Sequence, residues 1–303
     1  MKSIKTAYLL VVHKNPDLVN EFIAQLLQNG DCDIYIHIDK KNESISKDIV
    51  RNEHVFVCSE YEVRWGSFEI VKAAIELMRA ANAADKGYTH FYFGSGQDLL
   101  VKKGLYGHLA DNPEKIFMQI YREVTKRDRA SARYRIRWPR KYMIRNDRHF
   151  YRFVRIWMQM LCKIGIVCHP NSIELNNPVK FYTGSTWFIA PIEVMRYILD
   201  YIDDNPDYCM FWEDSLASDL MFFQTIVMNS PYACNVTDGL MYVRWGETFA
   251  TRNHPQDVTI EDDKYIEAGN YFCARKFDCN REAIDYYLRK TSSGGCEEDC
   301  GDR

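Results

Sequence analysis

The sequence predicts an α/β fold built on a mostly parallel sheet of the nucleotide-binding type. Three observations carry this. Residues 6–12 (TAYLLVV) form a continuous apolar run, as a strand buried on both faces requires. Leu18, Phe22, Ile23, Leu26 and Leu27 follow at helical spacing, closed by Asn29-Gly30. Residues 33–38 (DIYIHI) are then a second strand, so the chain opens strand–helix–strand. No GxGxxG follows the first strand, which argues against a dinucleotide oxidoreductase.

At 303 residues and 47% hydrophobic, the chain can bury a large core, as one α/β domain or two closely packed lobes. A net charge of −3 gives no general attraction to polyanions. Ten cysteines contain no CxxC, and with no signal peptide they read as reduced thiols in a cytoplasm. No run of about 18 apolar residues is present, so no spanning helix is expected.

The elements follow in order. The first strand ends in a polar tip, His13-Lys14-Asn15-Pro16, and the second in Asp39-Lys40-Lys41. Residues 55–58 are a short third strand. Trp65-Gly66, a flat ring beside a permissive backbone, precedes a helix over 68–83 whose stripe (Ile70, Val71, Ala74, Ile75, Met78) is core. The aromatic strand 89–93 breaks into Gly94-Ser95-Gly96-Gln97-Asp98. Two glycines beside polar side chains at a strand end make a tight turn where backbone can approach a ligand. Ligands in open α/β sheets sit outside the carboxyl ends of strands, which places Ser95, Gln97 and Asp98 at such a position. The plainer reading is a polar turn that contacts nothing. Another strand covers 115–121.

The segment 122–155 changes character, with thirteen Lys/Arg, three acidic residues and interleaved aromatics. Three readings fit. It is a solvated insertion, a nucleic-acid surface without any known motif to support it, or an acceptor-binding subdomain that also lies on anionic lipid. The third draws on residues 150–166, which are basic, aromatic and apolar at helical spacing. Beyond it, 181–190 (FYTGSTWFIA) is a strand around Gly184-Ser185, and 191–202 a helix with proline at its start. Glu213, Asp214 and Asp219 precede or open a helix over 221–228. Residues 239–245 (GLMYVRW) form a further strand, and Arg252, His254 and Pro255 lie in a polar loop. Residues 274–278 (ARKFD) follow a helix that starts on acids 261–263. The organisation expected is one domain over 1–290, with 122–170 as a basic insertion or acceptor subdomain, and a disordered tail over 291–303.

Seven segments fall in the order of one family: YLLVVHK (8–14), IYIHID (34–39), VRWGSFEIVKA (63–73), HFYFGSGQDLLVKK (90–103), YTGSTWF (182–188), DLMFFQTIVMNS (219–230), and HP with FCARKFD (254–278). In these the chain resembles the core-2/I-branching β-1,6-N-acetylglucosaminyltransferases, with the peptide O-xylosyltransferases and bacterial relatives. The resemblance implies a GT-A-like fold, a UDP-sugar donor (most often UDP-GlcNAc), inversion at the anomeric centre, and no metal. Basic side chains near the C-terminus take the metal's place at the diphosphate. The match to FCARKFD puts Lys276 there with Arg275 beside it, and Arg252 is the nearest upstream base. The Asp-x-Asp at Asp31-Cys32-Asp33 lies at the amino end of its strand, the wrong end for a metal site of this fold. The resemblance assigns the donor to the tips holding His13, Asp39, Trp65, Gly66, Ser95, Gln97 and Asp98, and the acceptor to Gly184, Ser185, Trp187 and Trp245. The acceptor would be an oligosaccharide or a lipid-linked saccharide, and the enzyme cytoplasmic or peripheral on the inner face of a membrane. Nucleic acid is not an expected partner.

One departure matters. Inverting transfer needs a carboxylate to take the acceptor hydroxyl's proton. The family supplies it from an Asp-Glu pair before the FFQT-type helix. Aligning on Phe222–Thr225 places Asp219 on the Asp but Leu220 on the Glu, and leucine cannot be a base. Asp219, Glu213 and Asp214 are the candidates that remain. The alternative is a catalytically impaired protein that binds nucleotide sugars.

Overall fold

A computed structural model describes residues 3–143, 150–248 and 254–292. The chain begins with β1 (Lys5–Val12), α1 (Pro16–Asn29), β2 (Asp31–Ile38), β3 (Val55–Cys58), α2 (Glu69–Ala84) and β4 (His90–Ser95). A short β5 (Asp98–Leu100), α3 (Leu105–Asp111) and β6 (Ile116–Val124) follow. The basic segment then holds α4 (Ala132–Arg135) and α5 (Phe150–Lys163). Next come β7 (Phe181–Pro191), α6 (Ile192–Asp204), α7 (Pro206–Trp212), α8 (Phe222–Met228), β8 (Val236–Thr237) and β9 (Met241–Val243). The last elements are α9 (Asp263–Ala268), β10 (Cys273–Arg275) and α10 (Arg281–Thr291).

Seven strands form the main sheet in the order β3-β2-β1-β4-β7-β6-β8. The first four are mutually parallel, and β7 runs against both of its neighbours. The alternation of a strand sorts its residues onto two cores. Ala7, Leu9, Val11, Phe91 and Phe93 face α2, α6 and α8 on one side. Tyr8, Leu10, Val12, Ile34, Ile36 and Tyr92 face α1 and α10 on the other. Both faces are covered, which is why these strands read as unbroken apolar runs. The chain winds outward from β1 to β3 and then returns to place β4 on the other side of β1, so strand order reverses between β1 and β4. A ligand crevice is expected at the carboxyl ends of that pair. A second sheet, β5-β10-β9, packs with α1 and α10 on the second core, and its Asp98–Arg275 end meets the turn after β4.

Three expectations are corrected. Residues 239–245 form only the three-residue β9, because Trp245 pairs with Pro255 in an isolated bridge instead. Arg275 does follow the helix expected on acids 261–263, which is α9, and it ends a short strand, β10, that no local pattern announced. The basic segment starts inside β6, whose ladder with β7 runs to Val124; the part beyond it packs a small core of its own from Ala132, Ile136, Trp138, Met143, Met158, Cys162 and Leu216. The tail does not begin at Thr291, which is buried and whose hydroxyl accepts a hydrogen bond from Gln25 Nε2 at 2.6 Å. Residues 293–303 lie outside the described residues.

Candidate functional site

The turn after β4 is built around Asp98, which is wholly buried. Its carboxylate accepts from the Tyr92 hydroxyl (2.9 Å), the Ser95 N–H (2.7 Å) and the Ser95 hydroxyl (2.7 Å). Arg275 Nε, arriving on β10, adds a bond to Oδ1 at 3.2 Å, and Arg275 Nη2 donates to Ser95 Oγ at 3.3 Å. The register explains the meeting, since Arg275 and Asp98 face each other across the antiparallel β10–β5 pair. The same guanidinium lies 4.5 Å from the centre of the Trp187 ring. Trp187 is 9% exposed and abuts Phe93, so it supports Arg275 and is not an open platform for a sugar. The glycines of the turn serve packing rather than ligand approach. A Cβ on Gly94 would crowd the Tyr92 ring and stand 2.7 Å from Asp98 Oδ2, and one on Gly96 would stand 2.8 Å from Val19. Gln97 is pinned to the following loop, its carbonyl accepting from Phe277 N at 2.9 Å and its amide donating to the Phe277 carbonyl at 3.3 Å.

Asp219 lies in a single turn of 3-10 helix, residues 218–220, ahead of α8. The residue is partly exposed but its carboxylate is enclosed, and Oδ2 accepts from the Thr186 hydroxyl at 2.7 Å. Burial pushes its carboxyl above the ordinary aspartate value, against the Thr186 bond and the guanidiniums of Arg133 and Arg275. Gln224, buried on the first turn of α8, fixes this turn to β7. Its amide donates to the carbonyls of Ser185 (2.5 Å) and Asp219 (3.2 Å). Gly184 is required there, since a Cβ would run into the Gln119 carbonyl of β6. Leu220 packs against the apolar core.

The neighbouring tips close around the same end. Asp39 caps a turn after β2; its carboxylate accepts from Lys41 N (3.1 Å) and Val63 N (3.2 Å), fixing the loop that carries Trp65. Trp65 is 43% exposed, with the Arg155 guanidinium 4.9 Å from its ring centre. Gly66, at φ +75°, lends its carbonyl to Ala217 N at 2.7 Å, two residues before Asp219. The His13 carbonyl accepts from Asn42 Nδ2 at 2.6 Å. Lys276 Nζ sits 2.9 Å from Asp278 and 3.7 Å from Asp257, while Lys14 Nζ donates to the same Asp278 oxygen at 2.6 Å. Burial would raise the Asp278 carboxyl, but the Lys14 and Lys276 ammoniums overcome it and hold it below its ordinary value.

Glu213 and Asp214 do not join this cluster. Glu213 pairs with Lys72 at 2.8 Å on the surface, and Asp214 accepts from Arg137 Nε (2.9 Å) and Nη2 (2.5 Å). Trp245 is 48% exposed beside Pro255. Arg252 lies outside the described residues. Sequence reasoning missed three members: Lys14, inside the His13 tip; Thr186, inside GSTWF; and Arg133, hidden in a run of surface-like cations. Only Lys14 and Thr186 carried a signal, by adjacency to residues already singled out. Among the described residues no group of three His, Cys, Asp or Glu side chains is placed to hold a metal ion.

Comparison with known proteins bears on this arrangement. A stretch of 109 residues is 26% identical to the beta-glucuronosyltransferase GlcAT14B of Arabidopsis thaliana, covering 35% of this chain and 25% of that protein. The match therefore spans a quarter of that relative's length. Among solved structures, Rv0371c of Mycobacterium tuberculosis aligns in a manganese complex (9% identity, TM-score 0.28, 39% of this chain and 64% of that one). It also aligns without that description (12% identity, TM-score 0.27, 39% and 66%). The family model described as Core-2/I-Branching enzyme matches residues 6–267, and the chain belongs to that family.

Proposed function

We propose that this chain is a glycosyltransferase that moves a sugar from a UDP-sugar, GlcNAc being the first to try, to a hydroxyl of an oligosaccharide or lipid-linked saccharide. The observation that carries the reading is Asp219, an enclosed carboxyl pushed up by burial, oriented by Thr186 and set within electrostatic reach of Arg275. A base of raised pKa at the mouth of a nucleotide-type crevice suits proton removal from an alcohol. The acceptor O–H proton passes to Asp219, the oxygen bonds to the anomeric carbon, and the bond to the diphosphate breaks on the opposite side, inverting the centre. The departing diphosphate gathers charge, and charged donors stabilise that charge most when already oriented. Arg275, fixed by Asp98, Ser95 and Trp187, is such a donor, with Lys276 and Lys14 beside it. We assign these cations, with Arg252, to the diphosphate, and read the transfer as metal-independent. Trp245 offers an exposed indole for the acceptor's apolar sugar face.

A panel of UDP-sugars offered with a chelator present, read as UDP release, tests this. Turnover is expected with chelator, and Asp219→Asn is expected to lower kcat by about 10²- to 10⁴-fold. Because the base must be ionised, kcat/KM should rise with pH through a value above that of an ordinary carboxylate. Activity lost to chelator and regained with manganese would overturn metal independence; full activity in Asp219→Asn would overturn the base. One observation favours a second reading. Leu220, aligned with the family's glutamate, is half-buried against the core, as in a protein that binds nucleotide sugars without turning them over. UDP-sugar binding with no release on any acceptor would select that reading.

A further inference from the structure

The outer face of α5 is apolar and uncovered. Phe150, Phe153, Trp157, Met160, Ile164 and, just past the helix, Ile166 are each 55% to 71% exposed. The first five recur at steps of three and four, which on an α-helix makes one stripe. The opposite face, through Arg155, Met158 and Cys162, is anchored on Trp138, Ile136 and Leu216, so the helix is held to the body with its stripe outward. Scattered surface apolar residues need no explanation, but a continuous stripe of this kind marks a contact.

We propose that α5 lies in the surface of an anionic lipid bilayer. Charge selects this occupant. Residues 150–166 contain no acidic residue, in a chain of net charge −3; Lys163 is exposed and Arg152 half-buried, while Arg155 is turned inward. Cations from outside the helix join its flanks: Arg129 Nε donates to Gln159 at 2.8 Å, and Arg135 Nη1 to the Cys162 carbonyl at 3.3 Å. A second copy of the chain docking on this face would set these cations against one another, whereas an anionic headgroup layer complements them. Within these 303 residues, the positions outside the described ones contribute Met1, Ile144 and Phe249 as large apolar side chains. An interfacial helix does not cross, which agrees with the finding that no described helix is long and apolar enough to span a membrane. The face is independent of the transfer chemistry, although Arg155, on its inner side, also reaches Trp65 at the crevice.

The test is sedimentation of the full chain with vesicles of phosphatidylcholine alone and of phosphatidylcholine with phosphatidylglycerol. Binding to the anionic vesicles only is expected. It should weaken when salt rises from about 0.1 M to about 1 M, where the screening length falls from about 10 Å to about 3 Å. Phe153→Ser with Trp157→Ser should lower the partition coefficient at least about tenfold, and Lys163→Glu a few-fold. Both changes are on exposed side chains, and unchanged melting curves will show that the fold is intact. No sedimentation with anionic vesicles overturns the proposal, as does equal binding by the Phe153/Trp157 variant. A concentration-dependent dimer that the same variant abolishes, without vesicle binding, assigns the stripe to self-association and overturns it too. So does binding to RNA in place of vesicles.

Discussion

Asp33 and Asp98 are both wholly buried aspartates, the first at the amino end of β2 in the main sheet and the second at the start of β5, past the carboxyl end of β4. Asp33, at the amino end of β2, takes the Tyr88 hydroxyl at 2.7 Å, His54 at 2.9 Å, and the ammoniums of Lys86 (3.2 Å) and Lys5 (3.5 Å). Those lysines and the histidine reach water; the Lys86 and Lys5 ammoniums are directed at Asp33, and Lys5 also at its neighbour Asp31. Asp98, past the carboxyl end of β4, takes neutral donors from Tyr92 and Ser95 and one guanidinium. That guanidinium keeps a face on Trp187 and acts on Asp219. Burial of a carboxylate therefore does not mark a site. In the proposed site the mark is a cation that the carboxylate fixes in place while leaving it near the carboxyl we assign as the base.

Breaking the Asp98–Arg275 pair should give the largest effect on both stability and turnover. Asp98→Asn leaves a largely buried guanidinium without its counter-charge, and removing one partner of such a pair costs about 3–5 kcal/mol. Denaturant unfolding will read that loss, and the same variant should lose most of its UDP release, because Arg275 is no longer held. Asp33→Asn should cost less, about 1–3 kcal/mol, since Lys5, Lys86 and His54 can turn to solvent; it should leave turnover unchanged. Its pH signature also differs. Burial raises the Asp33 carboxyl, but the Tyr88, His54 and Lys86 bonds overcome this and hold it below the ordinary value. A depressed folded pKa contributes stability that is fully present above the unfolded value of about 3.9 and is lost as pH falls through the folded one. The difference between wild type and Asp33→Asn should accordingly shrink below about pH 4. Equal loss of turnover in both variants would erase the distinction between the two ends.

A smaller effect would sharpen the contrast at the crevice. Lys14 and Lys276 hold the Asp278 carboxyl below its ordinary value, so under the proposed assignment a diphosphate would compete with it for both ammoniums. Asp278→Asn should tighten UDP binding by about 1 kcal/mol, roughly fivefold, measured by calorimetry. Weaker binding would show that Asp278 orders the lysines rather than occupying them.

Much of the sheet was legible because strands buried on both faces leave unbroken apolar runs, as in residues 6–12 and 33–38. The short β5, β8 and β10 were not, since two or three residues carry no period. Arg275 and Asp98 are 177 positions apart and meet only through strand pairing that no local pattern encodes. Ser95 and Asp98 stood out by type, but whether their oxygens face a ligand or each other depends on three bonds inside the turn. Trp187 and Trp245 look alike as indoles near strand ends. Burial beneath a guanidinium separates the first from the second, and that is a property of the two assembled sheets.

The smallest expected effects belong to the two acids nearest Asp219 in sequence. Glu213 and Asp214 share its charge and its neighbourhood along the chain, yet they end α7 on the surface, paired with Lys72 and Arg137. Exposed ion pairs of this kind contribute about 0–1 kcal/mol, because water screens them and their side chains lose freedom to form them. Asp214 also holds its loop through its carbonyl, which accepts from Trp138 N at 2.8 Å, a bond that a side-chain change leaves intact. Glu213→Gln and Asp214→Asn should each melt close to wild type and release UDP within about twofold of it. An acid-base role would instead lower kcat by about 10²-fold or more in one of them. Such a loss, with Asp219→Asn still active, would move the base from the enclosed carboxyl to the surface and undo the link drawn here between enclosure, a fixed arginine and reactivity.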